Sequence, residues 1–360
     1  MEVAAIELIK QLQKQDTRNE YILFAKEGED QDCVEKTPNF SIQTFPSFSY
    51  FDWEQFKLPA FIKKAGLDFL HSTCNTGPVR GAVPLVLTLH DIIYLEKIEL
   101  KGTNYQNFGN IYRRFVVPKV VAKSDFVITV SHFERTVILE RLKLPEEKLK
   151  VIYNGVNGRF NINQDPEQLA IFRAKYNLPE NFILFLGNTA PKKNTPNVVK
   201  GFVEYCNQTK DPIPLVILDY EKQFVAEALS GAGESQWLDK FIFPGYISPD
   251  QMPMMYAASS LFLYPSLRES FGMPILESMA CGIPVITSTT SSMPEVSGDA
   301  ALLVDPYKYH EIAHGITAML SDQTLLHMYR QKGLHRAAQF TWEAAVNELL
   351  QIYDEVGEKW

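Results

Sequence analysis

The sequence predicts an α/β protein of two Rossmann-like domains, each built on a parallel sheet. Short runs that are apolar on both faces alternate with helical patterns along all 360 residues, as strands do when helices cover both sides of a sheet. There are too many such runs for one compact sheet. An aperiodic stretch rich in Asn and Gly, "NGVNGRFNINQDPEQ", divides them into two series.

The chain opens on a helical pattern in which Ala5, Leu8, Ile9 and Leu12 share one face. The first series of strands is expected at 21–25, 67–71, 84–90, 126–131 and 150–154, and the first domain at 1–155. A helix, "EQLAIFRAKYNL", leads into the second series at 182–187, 215–219, 241–246, 261–266, 284–287 and 301–305, in a domain at 156–340. The last segment, 341–360, contains most of the helical pattern "FTWEAAVNELLQIYDEV" and is expected to cross back to the first domain.

Composition narrows the function. A net charge of -8 argues against nucleic acid, whose phosphates need a basic surface. The four cysteines form no C-x-x-C pair, so neither a zinc site nor a disulfide framework is suggested. No apolar run is long enough to span a membrane, and "MEVAAIELIKQLQKQ" lacks the apolar centre of a signal peptide. A cytoplasmic protein is expected. The segment "YFDWEQFKLPAFIKKAG" (50–66) reads best as a core helix with a basic edge; the alternative turns Trp53, Phe56, Lys63 and Lys64 to the inner face of a membrane.

Ligands of open parallel sheets gather beyond the carboxyl ends of the strands. "PSLRESFGMPILESMACGIPV" (265–285) stands at such a place, with a strand, a loop, a helix opened by Pro274 and stopped at Gly282, and the next strand. The amides of Phe271, Gly272 and Met273 gather at the helix N-terminus, which favours an anion. Glu269 and Glu277 flank that bend, and carboxylates accept hydrogen bonds from paired hydroxyls. An anion cradle beside sugar-binding carboxylates suits a sugar diphosphate. In "LGNTAPKKNTPNVV" (186–199), Lys192 and Lys193 follow the first strand of the second domain, where they can neutralise a departing diphosphate. Spacing alone is weak evidence. Glu27 and Glu35 also stand eight apart around "DQD" (30–32), a charge run that reads as a solvated loop.

The 265–285 stretch resembles the C-terminal signature of family 4 glycosyltransferases, retaining enzymes of the GT-B fold. It meets every fixed position of P-S-x-x-E-x-F-G-x-P-x-x-E-x-x-A-x-G-x-P-V, and the similarity continues through "SSMPEVSGDAALLVDP" (291–306). The resemblance implies two Rossmann-like domains with parallel sheets facing a central cleft. It implies that Glu269 and the amides of Phe271, Gly272 and Met273 contact the donor sugar, and that Glu277 holds the ribose diol. Lys192 and Lys193 would meet the diphosphate, with Asn188 where many members carry arginine. His90, at the strand end in "VLTLHDIIYLE", would be catalytic from the first domain, with Asp91 orienting it or capping the turn. Tyr246 and Ile247 of "FPGYIS" would line the nucleobase pocket, while His132 reads as a helix start. The implied co-substrate is a nucleotide sugar with no metal or other cofactor, and the acceptor a glycan or lipid-linked glycan. "TLHD" is similar to mannosyl and related polysaccharide-building transferases, which favours GDP-mannose.

Two departures from the family pattern bear on these expectations. Members begin with a strand and a Gly-rich loop ahead of the first helix, so either that strand precedes this chain or another segment fills its place. Asp219-Tyr220 stands where a Gly-rich turn is usual. A sugar-nucleotide 2-epimerase of the same fold and a non-catalytic nucleotide-sugar-binding protein are the rival readings.

Overall fold

The computed structural model describes residues 2–27, 34–96 and 104–359, so the "DQD" run lies outside the described residues. The chain divides into two compact units, Met1–Gly155 with Thr341–Trp360, and Val156–Phe340.

In the first unit β1 (Tyr21–Lys26) pairs in parallel with β2 (Phe40–Phe45). A separate parallel sheet holds β3 (Leu70–Ser72), β4 (Leu85–Thr88), β5 (Phe126–Thr129) and β6 (Leu149–Val151) in chain order. Among the described residues no ladder joins the pair to the sheet. β2 lacks the two-faced apolar run that marks the other strands. "FSIQTF" alternates apolar and polar residues and exposes its Ser, Gln and Thr. The period-2 rule sorts the core of the larger sheet. Leu85, Leu87 and Val127 face a cluster with Val117 and Val120 of helix Asn104–Lys123, whereas Val86, Phe126 and Ile128 face one with Leu12, Val346 and Leu349. Fully burying each such side chain contributes about 1.5–3 kcal/mol.

The second cluster joins the two ends of the chain. Helix Trp342–Lys359 belongs to the first unit and lies along helix Glu2–Gln15, with Gln15 Nε2 donating to Asn347 Oδ1 at 3.0 Å. Gly155 marks the crossing, since a Cβ there would stand 2.1 Å from the Trp342 amide nitrogen. In the 50–66 segment, Leu58 and Ile62 are buried and Trp53 stacks on Phe45, but Phe56 is 60% exposed.

The second unit carries β7 (Ile183–Leu186), β8 (Leu215–Leu218), β9 (Phe241–Ile242), β10 (Leu261–Tyr264), β11 (Val285–Ser288) and β12 (Leu302–Val304). They form one parallel sheet in the order β12-β11-β10-β7-β8-β9. The chain lays strands outward from β7 to β9, then returns to the other side of β7 with β10. That reversal is the topological switch point, where such sheets open a crevice at their carboxyl edge.

Candidate active site

Three loops of the second unit meet at the switch point. The loop after β7 runs to helix Thr195–Gln208, that after β10 runs to helix Met273–Ala280, and that after β11 precedes helix Met293–Ser297. Backbone and side-chain bonds lock them together. Leu267 N donates to Lys192 O at 2.7 Å, and Asn194 Nδ2 donates to Pro265 O at 3.1 Å and Pro306 O at 2.7 Å. Ser292 Oγ lies 2.9 Å from both Glu269 O and Phe271 O, and the Ser291 hydroxyl accepts from Glu269 N at 3.1 Å.

This scaffold gathers both lysines on Glu269. Lys193 Nζ is 2.9 Å from Glu269 Oε1 and Lys192 Nζ 3.6 Å from Oε2. Lys193 also donates to the Tyr264 hydroxyl at 2.9 Å, above whose ring it sits. Burial alone would raise the Glu269 carboxyl. The ammonium groups of Lys193 and Lys192 outweigh it and hold the group below the ordinary glutamate value. Burial and the Glu269 charge push the Tyr264 hydroxyl upward, so it stays neutral.

Gly272 turns the chain into the helix with φ of 105°, a conformation that L side chains resist. A Cβ there would also press on Ile275 Cδ1 at 3.2 Å. Phe271 is buried and meets the Phe340 ring edge-on, while Met273 is half-buried at the first helical position. At the start of the helix Pro274 carries no N–H and Ile275 N donates to Gly272 O at 3.0 Å, while the positive end of the helix suits the bend to an anion. One turn on, Glu277 accepts from Tyr256 at 3.0 Å. Burial raises its carboxyl to about 7, against which the Tyr256 bond and the charge of Arg159 pull only partly. The two glutamates therefore sit in one site with opposite proton affinities.

Asn188 stands directly after Gly187 in the loop that follows β7. Its Oδ1 accepts from Ala190 N at 2.8 Å and its carbonyl accepts from Thr195 Oγ1 at 2.8 Å, so it closes its own loop. After β9, Tyr246 is 76% exposed beyond Gly245, and Ile247 is buried. Asp219 takes φ of 56°, so the aspartate adopts the left-handed turn that a glycine would occupy with less strain.

In the first unit His90 follows β4 and is buried. Its amide donates to Asn75 Oδ1 at 2.6 Å and its Nε2 lies 3.0 Å from Thr73 O. A carbonyl only accepts, so Nε2 carries the proton and Nδ1 is the basic nitrogen. Burial lowers the imidazole's affinity for a second proton, and the ring borders a small apolar cavity with Ala5, Leu8 and Ile152. Asp91 caps the following turn, accepting from Ile93 N at 3.2 Å. His132 begins helix His132–Leu142 behind the Ser131 cap.

Tyr256, Tyr264, Ser291 and Ser292 carry roles that the sequence did not assign to them. Ser291 and Ser292 stand after a predicted strand end, a signal that could have found them. The two tyrosines lie within a helix and a strand and are joined to the glutamates only by the fold.

Comparison with known proteins gives two family matches that together span both units. The family model "Glycosyltransferase Family 4" matches residues 1–159 and "Glycosyl transferases group 1" matches 167–336. The O-antigen chain mannosyltransferase B of Escherichia coli is 29% identical over 64% of this chain and 60% of its own length. The serotype-specific mannosyltransferase WbdA of Escherichia coli is 26% identical over 71% of this chain and 32% of its own. The chain thus matches less than two thirds of the length of either relative. Among solved structures, Anabaena HepE in complex with UDP is similar with a TM-score of 0.72 at 19% identity, covering 98% of this chain and 96% of that one.

Proposed function

We propose an activity for a chain that belongs to glycosyltransferase family 4: transfer of a hexosyl group, with retention, from a nucleoside diphosphate sugar to an acceptor hydroxyl. The acceptor belongs to polysaccharide or glycolipid synthesis, a glycan or lipid-linked glycan, and the enzyme works in the cytoplasm. Relatives named as mannosyltransferases, one of them of an O-antigen chain, support this reading and favour GDP-mannose as donor.

One observation carries the proposal. At the switch point, Lys192, Lys193, the Gly272 bend and the two differently charged glutamates converge within a single unit. Each part has a task in the transfer. The amides at Phe271, Gly272 and Met273, with Lys192 and Lys193, stabilise negative charge as the diphosphate departs. Glu269 fixes the lysines and meets the donor sugar, while Glu277 accepts from the ribose diol. Tyr246 and Ile247 border the base. The C1–phosphate bond breaks as the acceptor oxygen bonds C1 on the same face, and the acceptor proton passes to the departing phosphate oxygen. His90 keeps the catalytic role that the family resemblance implies, with its imidazole neutral by burial, and no resident metal or cofactor is invoked.

Thermal unfolding against a panel of nucleotide sugars tests the proposal. A donor at a hundred times its Kd should stabilise the native state by about 2.7 kcal/mol. GDP-mannose is expected to give the largest shift, and product should form only with an acceptor present. No shift with any nucleoside diphosphate or its sugars would overturn the reading. Isomerisation of the donor alone would assign a 2-epimerase, and binding without turnover a non-catalytic protein.

A further inference from the structure

The four-stranded sheet of the first unit ends unevenly beside His90. β4 offers its backbone alternately to its two neighbours. Pro84 O accepts from Leu70 N at the start of β3 at 2.9 Å. On the β5 side, Leu85 O accepts from Asp125 N at 2.8 Å and Leu89 N donates to Ile128 O at 2.7 Å. Thr88 O and the His90 amide therefore face the β3 side. β3 ends at Ser72, and its register would have given both groups to residue 74 had the strand run on.

Asn75 takes both instead. Its backbone N donates to Thr88 O at 2.9 Å, and its side-chain Oδ1 accepts from His90 N at 2.6 Å. A backbone N–H only donates, so the atom that faces it is the carboxamide oxygen. The carboxamide thus stands in for one peptide group of β3 at a point where the chain has left the sheet. Asn75 has φ of 53°, a left-handed conformation that asparagine tolerates better than most side chains, and it is 2% exposed. The turn around it is braced from outside. Thr76 N donates to Cys74 O at 2.5 Å, Thr76 Oγ1 donates to the buried Glu54 at 2.6 Å, and Gln55 Nε2 donates to Gly77 O at 3.0 Å. A Cβ on Gly77 would stand 2.7 Å from Ser72 Oγ, so the turn lies close against the end of β3.

The same turn holds the imidazole. Thr73 O lies 3.0 Å from His90 Nε2, so one short segment grips His90 by its backbone and by its ring. Releasing the His90 amide would loosen the ring on Thr73 O and let its proton move between Nε2 and Nδ1.

We propose that Asn75 is a positioning residue for the transfer: its carboxamide replaces the missing ladder peptide and so fixes the His90 ring with Nε2 on Thr73 O and Nδ1 unprotonated. The inference rests on the proposed hexosyl transfer and adds to it a residue that acts through His90.

Asn75→Gly keeps the turn, because glycine accepts a left-handed φ without strain, and removes only the side-chain acceptor. Asn75→Asp puts an acceptor oxygen back. Protein labelled in the histidine ring nitrogens is compared by magnetic resonance, and His90 is the ring whose signals His90→Gln abolishes. The parent should show one tautomer, protonated on Nε2; Asn75→Gly should show both in exchange, and Asn75→Asp one again. In the glycine variant kcat for transfer should fall about tenfold, the size of one lost neutral hydrogen bond, with donor KM within about twofold and most of kcat regained by aspartate. Melting curves confirm that each variant folds. An unchanged His90 tautomer in Asn75→Gly would overturn the proposal, and if kcat fell nonetheless Asn75 would be a substrate contact. A changed tautomer with undiminished kcat, or one that aspartate does not restore, would also overturn it. A parent that transfers from no nucleotide sugar would sink the transferase reading by itself, while the ring spectra still decide whether Asn75 holds His90.

Discussion

Glu269 and Glu277 stand at either end of one loop and one helical turn, and burial pushes both toward the neutral acid. They end in opposite states. Glu269 has two ammonium groups within 3.6 Å and stays ionised, whereas Glu277 has one neutral hydroxyl at 3.0 Å and is raised to about 7. The difference teaches what each awaits. Glu269 already has its counter-charges and acts as a fixed strut for the lysines. Glu277 has the Tyr256 hydroxyl as its donor, and the ribose diol of the proposed co-substrate would bring two more. An ion-paired carboxylate orders the protein; an undersupplied one recognises a ligand.

The harshest test of that contrast is Glu269→Gln. The neutral amide frees Lys192 and Lys193 from their anchor, and kcat for transfer should fall about a hundredfold, by analogy with loss of a single preorganised charge-stabilising group. Single-turnover kinetics checks it. If only donor affinity fell, the two glutamates would share one role and the contrast would collapse.

Glu277→Gln should behave otherwise, weakening donor binding by roughly 1.5–3 kcal/mol in calorimetry. It also has a stability signature of definite sign. The folded protein holds the Glu277 proton more tightly than the unfolded chain, so stability is full below 4.5 and is lost as pH climbs to about 7. By pH 8 the deficit reaches roughly 3 kcal/mol at most. Glutamine removes it. The variant should match the parent near pH 4.5 and melt higher at pH 8, and equal melting at both would place Glu277 in contact with water.

Much of the fold was legible because it is locally written. Each of "ILFL", "LVIL" and "LFLY" is apolar on both faces and became a buried central strand. β2 was hidden because one of its faces is polar. The Gly272 bend could be read from one stretch, since glycine, proline and two acids lie within nine residues. The partners of those acids could not. Lys193 reaches Glu269 across 76 residues, and Tyr256 reaches Glu277 from a separate helix. The sequence pointed both lysines at phosphate; the structure adds that they first neutralise a carboxylate. Position marked Asn188 as a donor contact; the structure adds that its Oδ1 accepts from Ala190 N within its own loop.

The mildest perturbation is also the sharpest probe of the contrast. Tyr256→Phe removes one hydroxyl and keeps the ring, which meets Phe160 at 5.9 Å and Phe262 at 5.3 Å between centroids, so the core is preserved. The lost bond favours ionised Glu277, and without it the carboxyl holds its proton to higher pH. The midpoint of the rise in donor affinity with pH should move alkaline by roughly half to one unit, the equivalent of a bond worth about 1 kcal/mol. Near pH 6.5 the donor KM should rise about threefold to tenfold while kcat at saturation holds; by pH 9 the variant and parent should converge. A loss of equal size at both pH values would mean that Tyr256 shapes the pocket and does not tune the acid. Glu277 would then owe its high proton affinity to burial alone.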